Sequence, residues 1–101
     1  MTKVVLSPAE RQDLFHIHRW LGRKNDLAAR QTVLRIRDRI DLLRRHPLLG
    51  VARPDIGATA RMLTEPPYII LYEVQSGTVA PDKEVIVIRI IDARRDLPEL
   101  L

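Results

Sequence analysis

The side chains able to do chemistry in this 101-residue sequence are of few kinds, and arginine leads them. Fourteen of the seventeen cations are arginine, set against thirteen carboxylates, for a formal net charge of +4. A guanidinium is a planar fork that pairs bidentately with carboxylate or phosphate. Such a chain therefore suits an acidic protein partner or nucleic acid. An arginine on a helix is also an ordinary solvated residue, so charge alone does not choose. The histidines offer less. His16 and His18 stand two apart, about 200° around a helix axis, and share no metal. His46 precedes a proline at a helix end, where an imidazolium is favoured by the helix dipole. Ser7 reads as a cap, and Ser76 has no histidine near it in sequence, so a hydrolytic triad lacks support. Trp20 beside Leu21 reads as core or core rim, and Tyr68 and Tyr72 as strand-packing aromatics. Four glycines are too few for a phosphate loop, and without cysteine there is no disulfide or thiolate metal site. No cofactor is expected.

The elements that would position these groups fill one domain, 1–101, with a balance of 46% hydrophobic and 30% charged residues that suits a globular protein. No apolar stretch is long enough for a membrane span or signal peptide, and a cytoplasmic location is expected. Val4–Leu6 reads as an edge strand. Ser7-Pro8-Ala9-Glu10 then combines a cap, a first-turn proline and an S-x-x-E capping box. Leu14, Ile17 and Leu21 give the following helix one apolar face, over Pro8–Gly22. A second helix starts at Asn25 or Asp26 and runs to Arg45 before Pro47. Its seam is Ala29, Val33, Ile36, Ile40 and Leu43, and Arg30, Arg35, Arg37, Arg44 and Arg45 lie opposite. The short connection predicts an antiparallel helical hairpin. After the Pro- and Gly-bearing loop HPLLGVARPDIG come three strands: Arg61–Leu63, Tyr68–Val74 and Glu84–Ile91, the last two joined by the loop QSGTVAPD. The fold class is therefore α+β. An antiparallel β-sheet carries the hairpin on one face, in the order β-α-α-β-β-β.

That order, with the opening L-S-P-A-E-R-Q-D-L-F-H-I, the helix ending R-H-P-L-L-G, the R-M-L before P-P-Y-I-I-L-Y-E-V and the closing V-I-R-I-I-D-A-R-R-D, resembles the RelE/ParE toxin superfamily of bacterial type II toxin–antitoxin systems. The resemblance covers nearly the whole chain and implies a toxin neutralised by a cognate, ParD-like antitoxin. Two activities occur in the superfamily. RelE-type members cut mRNA in the ribosomal A site with Lys, Arg and Tyr side chains; ParE-type members inhibit DNA gyrase by binding it. Metal-free RNA cleavage needs groups to move protons and cations to face the phosphate. The resemblance sets Met62 and Ile69 at the positions of a RelE catalytic Lys and Arg, and Leu100 near that of the tyrosine. Only Arg94 matches a RelE catalytic arginine. The implied branch is ParE, with gyrase as target, no catalytic residue, and DNA contact only through the antitoxin complex. A RelE-like ribosome-dependent endonuclease, or an inactive relative that only binds antitoxin, is the alternative.

Strand alternation puts Tyr68, Ile70, Tyr72 and Val74 on one face, and Ile69, Leu71 and Glu73 on the other. With the first set under the helices, the second is expected to form an exposed aliphatic surface. Arg61, Arg89 and Arg94 would rim this surface as a dock for the antitoxin. The C-terminal stretch, with Arg94, Arg95, Leu97 and Leu100, is expected to add an amphipathic contact for antitoxin or target. Asp92, Arg94, Arg95 and Asp96 are available to pair with one another.

Overall fold

The computed structural model describes residues 2–76 and 83–94. In chain order they form β1 (Lys3–Leu6), α1 (Pro8–Gly22), α2 (Asp26–Leu42), β2 (Val51–Ala52), β3 (Ala60–Glu65), β4 (Tyr68–Ser76) and β5 (Lys83–Asp92). The α+β layout, a helical hairpin on one face of a sheet, is the one the sequence predicts. The sheet order is β1-β5-β4-β3-β2. Strands that follow one another pair antiparallel, as short connections require. One pairing differs from the expected all-antiparallel sheet, because β1 lies parallel to β5, with Lys3 opposite Glu84 and Leu6 opposite Val87. A long excursion through both helices separates these strands and allows the parallel sense. A second difference is β2, two residues within the expected loop that pair with Arg61 and Met62.

Both helices start where their caps predict. The Ser7 hydroxyl accepts from the Glu10 N–H at 3.0 Å, and the Asn25 side chain accepts from the Ala28 N–H at 3.0 Å. The capping box is only half made, however. The Ser7 N–H donates to the Val87 carbonyl at 3.0 Å, so the Glu10 carboxyl has no donor to reach back to. That carboxyl is fully buried, and neither of its oxygens has a hydrogen-bond partner among the described residues. Burial raises its pKa above the ordinary 4.5, against the opposing influence of Arg37 and Arg11. α2 ends at Leu42, short of the expected Arg45, because the chain turns through Leu43 to bring the loop back towards the sheet.

The main core lies between hairpin and sheet. Leu14, Ile36, Ile40 and Leu43 pack from the helices against Tyr68, Ile70, Tyr72, Val85, Val87 and Ile90, all at least nine-tenths buried. At roughly 25 cal/mol per Å2 of apolar surface removed from water, this contact is the main force holding the hairpin on the sheet. Val33, expected in the seam, is only half-buried, and Thr32 takes a buried place beside it. Trp20 is not core: it stands 45% exposed, with the Lys24 ammonium 5.4 Å from its ring centroid.

Candidate functional site

β4 carries the two expected faces, but the second is not an open surface. Ile69 is 9% exposed and Leu71 5%, and they pack with Ala60, Met62 and Ile91 into a second apolar cluster. The half-buried Ile56, Ile88 and Ala93 lie against it. Ile56 comes from the segment between β2 and β3 and Ala93 from the turn after β5. Alternation shows which residues share a face but not that a loop will fold over it.

The arginines do not gather round this face as expected. Arg61 sits opposite Tyr72 in the β3–β4 register, on the face away from Met62. Its Nη1 donates to the Gly50 carbonyl at 2.7 Å and the Leu48 carbonyl at 3.2 Å. The fully buried Tyr72 completes this clamp. Its hydroxyl donates to the Pro47 carbonyl at 2.9 Å and accepts from the Gly50 N–H at 2.8 Å. Burial pushes the phenol pKa upward, which fits a structural group kept neutral. Glycine is required at position 50. A Cβ there would stand 2.7 Å from the Met62 carbonyl oxygen and 2.8 Å from the Tyr72 ring and hydroxyl.

Arg89 turns instead to the helix α1. Its Nε and Nη2 pair with the two Asp13 carboxylate oxygens at 2.7 and 2.9 Å, a bidentate fork. The same carboxylate accepts the Ile90 N–H at 2.9 Å. A register shift where Leu71 faces Arg89 and Tyr72 faces Val87 leaves Ile88 as an extra residue in β5. Beyond Leu6, β1 no longer covers that edge. The start of α1 takes over, with the Ser7 hydroxyl donating to the Ile88 carbonyl at 2.6 Å. Asp13 and Ser7 thus satisfy the open edge of β5. Asp13 was legible only as a polar residue next to Leu14, since nothing in spacing links it to Arg89, 76 positions away.

Arg94, in the turn after β5, pairs with the buried Asp92. Its N–H donates to Asp92 Oδ1 at 2.9 Å and its Nη2 to Oδ2 at 3.2 Å. The carboxylate raises the guanidinium pKa further. Of the expected site residues, then, Ile69 and Leu71 come together in the second cluster, while Arg61, Arg89 and Arg94 each hold a separate intramolecular partner. Arg95, Leu97 and Leu100 lie outside the described residues. Tyr72, Gly50, Asp13 and the bare carboxyl of Glu10 were the features missed. The R-H-P-L-L-G motif and the half-satisfied S-x-x-E were their only signals.

Chemically, this side of the molecule is an apolar cluster with a carboxylate-bound arginine at its end. Neither Met62 nor Ile69 can face a phosphate. A comparison with curated proteins found no match. Among solved structures the chain is similar to one from "Chromosomal ParDE TA system from P. aeruginosa". That likeness covers 91% of this chain and 96% of that one, at 20% sequence identity and a TM-score of 0.71, and is a likeness of fold. The model of a family described as "ParE toxin of type II toxin-antitoxin system, parDE" matches residues 4–97. A match over that much of the sequence places the chain by descent as well as by shape: it belongs to the ParE toxin family of type II toxin–antitoxin systems.

Proposed function

We propose that this ParE-family toxin acts by binding DNA gyrase, performs no bond chemistry of its own, and is neutralised by a cognate antitoxin. One observation carries the choice of target over RNA cleavage. The positions that the superfamily resemblance aligns with a catalytic Lys and Arg are Met62 and Ile69, both inside the second apolar cluster. Arg94, the one match, has its charge met by Asp92. A cation already balanced by a carboxylate stabilises a transition-state phosphate less than a bare one.

In this reading Arg94, with Arg95, Leu97 and Leu100, forms the gyrase contact. The antitoxin covers the face built from Ile56, Ile88 and Ala93 over Ile69 and Leu71. Arg61, on the opposite face, and Arg89, held against α1 by Asp13, contribute to antitoxin recognition outside that face. Replacing Ile56 with Asp should weaken the antitoxin complex by at least tenfold, about 1.4 kcal/mol, since a carboxylate would be desolvated in an apolar contact.

The target is tested in paired assays: supercoiling by purified gyrase and ribosome-dependent mRNA cleavage. Each is run with wild type, Arg94→Ala and a chain ending at Arg94. The expected result is gyrase inhibition by wild type, weakened in Arg94→Ala and lost in the shortened chain, with no cleavage of mRNA. Specific A-site cleavage with gyrase untouched would transfer the assignment to the RNA branch. In that case Arg94→Ala should lower cleavage by orders of magnitude, a loss of about 3–4 kcal/mol of transition-state stabilisation.

A further inference from the structure

Among the described residues, Glu10 is the one side chain whose polar atoms are all buried and all without a hydrogen-bond partner. A buried polar group is nearly always hydrogen-bonded, and an exception calls for a reason. The reason lies in the groove that Glu10 helps to wall. Where α1 and α2 diverge above β1, two adjoining cavities of about 370 and 610 Å3 share Leu6, Glu10, Arg11 and Arg37. The smaller has an apolar side formed by Leu6, Leu14, Phe15 and Val33, and Phe15 is 62% exposed. Arg11 and Arg37 are exposed at its mouth, and among the described residues neither guanidinium makes a hydrogen bond or an ion pair within 4 Å. Both act electrostatically on Glu10, one from each helix.

Apolar walls, two unengaged guanidiniums and a carboxyl with nothing bonded to it define a ligand chemistry. A cation is disfavoured, because Arg11, Arg37 and Lys3 already repel it. An anion is favoured by all three. In its protonated form, which burial favours, the Glu10 carboxyl also has an O–H to donate, and the strongest acceptor for it is another carboxylate, through a short charge-assisted bond. We propose that this groove is a binding site for a carboxylate on an apolar stem. Arg11 and Arg37 pair with the anion, the Glu10 carboxyl donates to it, and Leu14, Phe15 and Val33 hold the stem. The site lies on the helical side of the molecule, apart from the face assigned above to antitoxin and target. The same chemistry can come from a small aromatic or aliphatic acid, or from an acidic side chain next to an apolar one in a polypeptide.

The test uses the full chain, 15N-labelled, titrated with phenylacetate, with phenylacetamide and with a capped Phe-Glu-Leu peptide. Phenylacetate should give saturable amide shifts at Leu6, Glu10, Arg11, Val33 and Arg37, with a Kd on the order of a millimolar for a ligand of this size. The uncharged amide should bind at least tenfold more weakly. Tighter binding of the peptide than of phenylacetate would identify a polypeptide as the source, and the reverse a small acid. Arg37→Ala, at an exposed position that leaves the core untouched, should weaken phenylacetate about tenfold. Glu10→Gln retains an N–H donor and should bind within a few-fold of wild type. It should, however, lose the weakening with rising pH that wild type shows as Glu10 ionises. The titratable groups that share the cavities with Glu10 or act on it are Lys3 of β1, Arg11, Asp13 and His18 of α1, and Arg37, Asp41 and Arg44 of α2. All of these are present in both wild type and Glu10→Gln, so the difference between the two pH profiles isolates Glu10. Equal affinity for acid and amide, or shifts that leave these residues unmoved, would overturn the assignment.

Discussion

Tyr72, Gly50 and Glu10 show at the residue scale how far one side chain's fate depends on what is brought to it. Tyr72 holds the loop after α2 through two hydrogen bonds, one given to Pro47 and one taken from Gly50. Replacing Tyr72 with Phe removes both and leaves the Gly50 N–H buried without an acceptor. The expected loss is about 1–3 kcal/mol in denaturant unfolding, with fold and antitoxin binding retained. Gly50→Ala should cost a similar ~1–3 kcal/mol, because the nearest obstacle is backbone of β3 and does not yield as a side-chain tip would. Glu10 gives a prediction with a sign. Unfolded, it titrates near 4.5; folded, burial raises it. Between those two values the unfolded chain has released a proton that the folded chain keeps. Stability therefore falls as pH rises through that window and levels off above the folded pKa. Glu10→Gln has no proton to lose. Near neutral pH it should be more stable than wild type by about 1 kcal/mol, and by about pH 4 the two should converge. Parallel melting curves at all pH values would show that the buried carboxyl is not the titrating group.

At the scale of elements, legibility follows how local the signal is. Both helices could be read because a cap, a first-turn proline and a 3.6-residue repeat all lie within one segment. The two faces of β4 could be read because alternation is local too. The pairing of β1 with β5 could not, since its partners are some eighty positions apart and a parallel pair leaves no turn to read. Nor could the burial of Ile69 and Leu71, which depends on where Ile56 and Ala93 come to lie. The surface that the sequence offers as an exposed aliphatic dock is therefore a small core with Ile56, Ile88 and Ala93 outermost. The arginines went wrong for a related reason: a long cation has many reachable acceptors, and only the fold decides which is nearest. Asp13 joins α1 to β5, and its removal is measurable at that scale. Asp13→Ala should lower stability by about 1–2 kcal/mol and speed hydrogen exchange at the Ile90 amide, which loses its acceptor. Arg89→Ala should cost under about 1 kcal/mol, as that guanidinium is half exposed and Ile90 keeps its bond. Equal losses from the two would mean that the ion pair, not the edge contact, carries the join.

Taken as a whole molecule, the toxin has its proposed target contact near the end of the chain and its folded core before it. Ending the chain at Arg94 retains α1, α2 and β1–β5, including the Asp92–Arg94 contact that finishes β5. Such a chain should keep the circular dichroism and cooperative unfolding of the full protein. Ending it at Ile91 removes the buried Asp92 as well and should lower the melting temperature. If the two truncations melted alike, Asp92 would have no part in holding the end of the sheet. The parallel pairing of β1 with β5 has a further consequence, in time rather than in space. β1, made before both helices, is flanked in the sheet by β5, made after them, and β5 also supplies the wall on which α1 rests. Until β5 has been made, the hairpin has no complete surface to fold against, and the early part of the chain waits with its apolar seam uncovered. A nascent chain that has passed α2 but not yet reached β5 therefore holds its helices without the strand they rest on, and β5 is the element whose arrival lets them settle.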